Sequence, residues 1–328
     1  MSLYNNNCPD TADVLEMEQG SHLNKIIIRE WEKTLLLEII EQLESEHGKS
    51  LSLLFELEGQ KLVLEELNRK LEETAVIYRR DIMMAEKVQK SLLFNEPPIT
   101  SNFDIAFEYK PYASVSGDFY DFYIDKNTND LIGITLADVS GHGISSGLLT
   151  ALAKPVFWRN FSSHYKRKSL TGILHNINNE LLSVTDGYSN YLTAILLRFT
   201  ESKAEYINAA HPHIIIKKGS DSKILTFNDE PNSHGSILGL SIINEEYPVK
   251  TFNIETNDLI IIFSDCLNES TGKNKVQFGY EGIIDSLNKT NNQQTTKEIM
   301  DILLQDFNNH TKSYPLLDDL SIIIIKRK

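Results

Sequence analysis

Cysteine is nearly absent: the 328-residue chain has two, Cys8 and Cys266. Two thiols so far apart make no disulfide framework, and no Cys-x-x-Cys pair exists to grip zinc. Basic residues are outnumbered, 32 against 46 acidic ones, for a net charge of −14. Nucleic acids and anionic membranes both require basic patches, so neither is an expected partner. Long apolar runs are missing too. The strongest, Leu259–Phe263 and Leu320–Ile325, fall far short of the ~20 residues that span a bilayer. No basic stretch followed by an apolar one occurs between Met1 and Glu18, so no secretory signal is visible. Together these absences point to a reduced, soluble, cytoplasmic protein. What is present is ordinary for a globular chain, 41% hydrophobic and 24% charged, which excludes wholesale disorder. The length suits two domains, or one domain with a long extension, and is enough to bury a substantial core.

Proline is absent from Leu23 to Leu93, a stretch rich in Leu, Ile, Glu and Lys. Steps of four and three from Leu36 to Leu92 visit 17 positions, of which 12 are apolar. The polar exceptions are His47, Ser50, Lys61, Asn68 and Gln89. This is a helical stripe of heptad type. It predicts either a dimeric coiled coil that links to a signal or a helical hairpin within one subunit, the dimer being favoured. Gly48 is expected to end one helix and Ser50 to cap the next. Residues 1–20 show no period and are expected to be a loose lead. Residues 21–95 form the helical regulatory or dimerisation segment, and Pro97-Pro98 closes it. Residues 1–95 hold 18 acidic and 11 basic residues, which is half of the net charge.

Residues 96–328 change texture. Short β-branched runs at Leu131–Leu136, Tyr191–Phe199, His213–Lys217, Leu259–Phe263 and Leu320–Ile325 predict strands, several apolar on both faces and so buried between layers. Helices are predicted at Ser145–Phe161, Leu170–Leu182, Tyr280–Lys289 and Thr296–Asn308. The grouping indicates an α+β class rather than strict βαβ alternation.

Four acidic positions sit at strand ends or turns: Asp118 after Ser116-Gly117, Asp138 before Val139-Ser140-Gly141-His142-Gly143, Asp265 after Phe263-Ser264, and the pair Asp318-Asp319 before Leu320. One such aspartate alone is usually a turn former or a cap. Four beside apolar strands are costly to bury unless cations compensate them. Oxygen-only ligands suit Mg²⁺ or Mn²⁺, and two such ions can activate water for an in-line displacement. The residues alone thus point toward a two-metal hydrolase. Gly141 and Gly143 could cradle phosphate at a helix start, but no Gly-Lys-Ser/Thr follows to make a nucleotide P-loop.

In order, Val115–Phe122, Asp138–Gly143, Asn208-Ala209-Ala210-His211-Pro212, Phe263-Ser264-Asp265 with Glu269, Phe278-Gly279, and Asp318-Asp319-Leu320-Ser321 resemble the motif series of the metal-dependent serine/threonine protein phosphatases. This is the protein phosphatase 2C (PPM) superfamily, and the match is best to its SpoIIE/RsbU-like bacterial branch. The helix ending Ala85–Leu93 resembles that branch's entry into its catalytic domain, so the likeness covers about residues 80–328.

The resemblance implies two packed antiparallel sheets flanked by helices, an α/β/β/α sandwich with metals at one end. Asp118, Asp138, Asp265 and Asp318 become the catalytic set, and the cofactors become two Mn²⁺ or Mg²⁺ ions. Asp138 would bridge the ions, and the Val139 carbonyl would complete one of them. Asp118 would bind on one side through water, while Asp265 and Asp318 hold the other ion. Asp319 matches a ligand or supporting position, and Glu269 a supporting group or a weaker third site. A metal-activated water would attack phosphorus directly. His142 could act as a general acid, with a turn residue the favoured alternative, and His211 is expected to be a structural strand-end residue. The chain departs from the family at Cys266, where glycine is usual, and at Ser116. Cys266 is read as a small buried hydrophobe, with a redox-sensitive thiol as the alternative.

The implied function is a protein serine/threonine phosphatase acting on a small phosphoprotein, a STAS-type anti-sigma-factor antagonist, with partner switching as its output. The competing possibility is an adaptor, weak or dead as an enzyme, that binds such a phosphoprotein. The expected assembly is a homodimer through the N-terminal helices.

Overall fold

A computed structural model describes residues 11–141, 143–185, 190–227, 234–241, 246–273, 275–312, 314–316 and 318–328. The chain forms two compact units divided between Ile77 and Tyr78. The first is built on helix α1 (Thr11–Leu92), which starts inside the expected loose lead. The helix passes through Gly48 and Ser50, where a break was expected. One glycine costs a helix only about 1 kcal/mol relative to alanine, and the Leu, Glu and Lys around it are strong helix formers. Arg69 reaches Glu66 and Glu73 one turn away on either side. Leu54, Leu57, Leu64 and Leu71 stay exposed.

The second unit, from Tyr78, begins with the last turns of α1. One sheet runs in the order β2 (Asp118–Ile124), β3 (Leu131–Val139), β4 (Leu192–Phe199), β5 (Lys203–Ala209), β8 (Val249–Asn253). The other runs β1 (Phe103–Lys110), β10 (Leu320–Arg327), β9 (Leu259–Phe263), β6 (Ile215–Lys217), β7 (Ile224–Thr226). All pairings are antiparallel. Helices α2 (Ile144–His164) and α3 (Leu170–Thr185) cover the first sheet. After the short α4 (Asp265–Glu269), α5 (Gly279–Asn288) and α6 (Thr296–Thr311) cover the second. This is the expected α/β/β/α sandwich.

The apolar-on-both-faces strands follow from this layering. Ile323 and Ile325 point between the sheets, while Ile322 and Ile324 point toward α5 and α6. Burying each such side chain stabilises by about 1.5–3 kcal/mol. Strands β1, β2, β5, β7 and β8 were not expected: polar residues interrupt most of them, and β7 is only three residues long. In β2, Asp121 is buried by pairing with Lys154 of α2 at 2.8 Å. Burial lifts the Asp121 carboxyl and depresses the Lys154 ammonium, so the pair survives through mutual contact and the Lys154 bond to the Tyr120 carbonyl.

Candidate metal centre

Antiparallel pairing brings the aspartates to one end of the sandwich. In the first sheet Asp118 opens β2 and lies directly opposite Asp138, near the end of β3. Like charges so paired repel. In the second sheet Phe263 of β9 pairs with Ile322 of β10, so the residues just after β9 lie beside those just before β10. That juxtaposition joins Asp265 to Asp318. The Ser264 hydroxyl ties the corner, donating to the Asp319 carbonyl at 3.0 Å and accepting from the Ser321 amide at 2.9 Å.

Two contacts lock the sheets together here. The Ser321 hydroxyl donates to Asp118 Oδ2 at 2.5 Å. Asp319 accepts from the Tyr112 amide at 2.7 Å and the Gly117 amide at 2.6 Å, one on each oxygen. Asp319 is therefore engaged as a brace for the 112–117 loop. Gly117 must be small: a Cβ there would sit 2.9 Å from the Val139 carbonyl oxygen and 3.1 Å from that of Gly141. From the other side, buried Gln89 of α1 grips the same loop. Its oxygen accepts from the Ser116 amide at 2.9 Å, and its nitrogen donates to the Ser116 carbonyl at 2.7 Å and Thr150 Oγ1 at 2.8 Å.

The electrostatics record crowding. Burial, then the Asp138 charge, lifts Asp118 well above the ordinary carboxylate range. Burial, followed by Asp265 and Asp318, pushes Asp138 up to about 8. Asp265 is raised to about 6 by burial and then by Asp318 and Glu269. Among the described residues, no three acidic, histidine or cysteine side chains are grouped so that they could hold a metal ion as they stand. The donors nevertheless fit hard divalent ions: all are oxygens, they adjoin, and their mutual repulsion is what a cation would relieve.

Asp138, Asp265, Asp318 and Glu269 open onto a cleft of about 460 Å³ that His211, Pro212, His234 and Tyr280 also line. A larger cavity, about 880 Å³, lies by the Tyr165–Ser169 turn and contains none of the candidate aspartates. Its Arg198 is spent on Glu205 and the carbonyls of Tyr165 and Lys168, so the smaller cleft, with the aspartates, is the candidate site.

The 208–213 turn walls the cleft. Asn208 accepts from the His211 amide and donates to the His211 carbonyl and Tyr206 hydroxyl. These bonds hold Ala210 at φ +55°. His211 is buried against Thr193 Oγ1 at 2.7 Å, as a structural residue would be, and burial takes its pKa down to about 3. Cys266 is buried with its thiol 3.7 Å from Ser270 Oγ, and burial lifts its pKa to about 11. It sits in helical α4 and is not among the positive-φ residues, so the usual glycine is not required for backbone shape. Ser116 is likewise free of positive φ. His142 lies outside the described residues.

The family model of stage II sporulation protein E (SpoIIE) matches residues 128–328. The phosphoserine phosphatase RsbU of Bacillus subtilis strain 168 is 29% identical over 265 residues, which is 76% of this chain and 71% of RsbU. Among solved structures, the SiaA-PP2C domain of Pseudomonas aeruginosa aligns with a TM-score of 0.63 at 16% identity, covering 77% of this chain and 98% of that domain. RsbX in complex with magnesium aligns with a TM-score of 0.50 at 16% identity, covering 70% and 98%. These structural likenesses concern the fold.

Proposed function

The chain belongs to the SpoIIE family of PP2C-type protein serine/threonine phosphatases, and on that premise we propose that residues 96–328 hydrolyse phosphoserine or phosphothreonine on a small regulatory protein with two Mn²⁺ or Mg²⁺ ions as cofactors. The observation that carries this is the Asp118–Asp138 cross-strand pair meeting Asp265 and Asp318 from the other sheet. The magnesium named with RsbX is consistent with that donor chemistry.

When bound, such ions lower the pKa of a coordinated water and steady charge on phosphoryl oxygens. Asp138 would hold both ions, with the Val139 carbonyl and Asp118 on one side and Asp265 and Asp318 on the other. Asp319, engaged by two amides, would brace the loop that carries Asp118. Cys266 takes no part, since it is buried as a thiol.

A STAS-type anti-sigma-factor antagonist is the substrate class we propose, in keeping with the resemblance to RsbU. Residues 21–95 would dimerise as a coiled coil and pass a signal toward the catalytic domain, and exposed Leu54, Leu57 and Leu64 support that role. A cytoplasmic location accords with the absence, among the described residues, of any helix long and apolar enough to cross a membrane.

The test is hydrolysis of p-nitrophenyl phosphate and a phosphoserine protein with Mn²⁺, with EDTA, and in Asp138→Ala and Asp265→Ala. Turnover should vanish with EDTA and fall by about 10³-fold or more in both variants, several kcal/mol of lost charge stabilisation. Tight phosphoprotein binding without turnover under any condition would instead identify an adaptor.

A further inference from the structure

The cavity of about 880 Å³ by the Tyr165–Ser169 turn is not used by the carboxylate chemistry. It lies at the other end of the sandwich. Strand β3 leaves the cavity wall at Leu131 and reaches Asp138 seven residues later, about 23 Å away at roughly 3.3 Å per residue. Strand β10 runs the other way, from beside Asp319 to Arg327 in the same wall. The sequence Lys-Arg-Lys occurs twice in the chain, at 166–168 and at 326–328. The fold brings the two together here: the whole first triplet and Arg327 of the second line this one cavity. In a chain of net charge −14, that is a local reversal of sign.

What the cavity can take depends on which of these charges are already engaged. Arg198 is paired with Glu205, and it donates to the Tyr165 and Lys168 carbonyls at 2.7 Å each. Those two bonds fix the backbone of the basic turn. The Arg167 and Lys168 amides close on the His164 carbonyl at 2.8 and 2.9 Å, so the turn is shaped before anything binds. Lys166 is 3.5 Å from Asp125 and sits over the Tyr165 ring. The side chains of Arg167, Lys168 and Lys203 have no partner among the described residues. Arg327 gives one N–H to the Glu201 carbonyl at 2.9 Å and lies over the Phe103 ring, which leaves its other N–H groups unclaimed among the described residues. Asp130 and Glu201 are the wall's carboxylates without a described ion pair. Four unengaged cations thus face two carboxylates, and the site is short of negative charge.

We propose that this cavity binds a polyphosphate, a small anion with two or more linked phosphoryl groups, either free or as the phosphate chain of a nucleotide. A recess of this volume falls in the range of small-molecule sites, about 300–1,000 Å³, whereas a protein partner would need a broad open face. Arginine forks take phosphoryl oxygens two at a time, and lysines add point charge. The four cations stand on three separate elements: the α2–α3 turn, the start of β5 and the end of β10. One phosphoryl group can engage only some of them, while a linked chain can reach across. The site is remote from the carboxylates, so it does not depend on the phosphatase function proposed above.

Calorimetry on the full-length chain in EDTA, with orthophosphate, pyrophosphate and triphosphate, provides the test. Without metal the aspartate cluster repels anions, so binding there does not interfere. Pyrophosphate and triphosphate should bind at least about ten-fold more tightly than orthophosphate, and more weakly as salt is added. Arg167→Ala with Lys168→Ala removes two exposed side chains and should weaken binding at least about ten-fold with Tm unchanged. Lys273→Ala with Lys275→Ala, in the turn after α4, should leave binding as it is. Failure of both linked phosphates to bind, or binding that the 167–168 variant leaves intact, would overturn the site. So would an equal loss in the 273–275 variant, which would reveal diffuse attraction only. ATP and adenosine separate the two sources, and either result supports the site. ATP binding more tightly than triphosphate, with the same loss in the 167–168 variant, identifies a nucleotide, whereas ATP binding no more tightly identifies the free polyphosphate. Asp138→Ala should bind pyrophosphate as the wild type does, so a chain without phosphatase activity would still show this site.

Discussion

At the residue scale, Asp138 is the most informative side chain. Its pKa stands at about 8, against an ordinary aspartate value of 3.8. In the metal-free protein the folded state therefore binds a proton that the unfolded chain has released throughout that window. Stability must then fall as pH rises from about 4 to about 8, with Asp265 adding to the slope up to about 6. Melting curves of metal-free protein should show Tm declining across this range, and Asp138→Asn should flatten the decline. Mn²⁺ should raise Tm more at pH 8 than at pH 6, because the ion binds the ionised carboxylate. A flat Tm in the wild type would mean that the carboxylates are less crowded than their placement indicates. The aspartates were legible in the sequence because each sits at the edge of a short apolar run, at a strand end or turn. The brace role of Asp319 was not, since it depends on the Tyr112 and Gly117 amides some 200 residues away.

At the scale of elements, the end of α1 matters more than its length. Gln89 was visible in the sequence only as a polar exception on an apolar stripe, and the fold explains it through three buried hydrogen bonds to Ser116 and Thr150. Gln89→Ala strands the Ser116 amide and carbonyl, a cost of about 1–3 kcal/mol for buried unsatisfied groups. The variant should melt lower, and because Ser116 leads into Gly117 and Asp118, it should bind Mn²⁺ about ten-fold more weakly by calorimetry. Unchanged affinity with a lowered Tm would confine Gln89 to a packing role. The isoleucine-rich strands β9 and β10 were easily read, because burial on both faces leaves an unbroken apolar run. Strand β2 was hidden because its sequence, Asp-Phe-Tyr-Asp-Phe-Tyr-Ile, carries the charge that Lys154 neutralises only in three dimensions. The uninterrupted α1 was misread at Gly48, where local propensity overstated the break.

At the scale of the whole molecule, the exposed leucines of α1 and the proposed coiled coil make a prediction about assembly. Light scattering should give a dimer mass for the full-length chain, and Leu57→Glu with Leu64→Glu should give a monomer, since charge at seam positions opposes pairing. A full-length monomer would remove the coiled coil. The central place of β10, between β1 and β9, has a consequence for biosynthesis. Of the described strands it is the last to leave the ribosome, yet it completes the middle of its sheet and follows directly on Asp318 and Asp319. Of the candidate ligands, Asp118, Asp138 and Asp265 precede it in the chain, and Asp318 lies just before it. A chain clipped before Asp318 would lose the strand that lies between β1 and β9 and, on the proposed function, the carboxylate that joins Asp265.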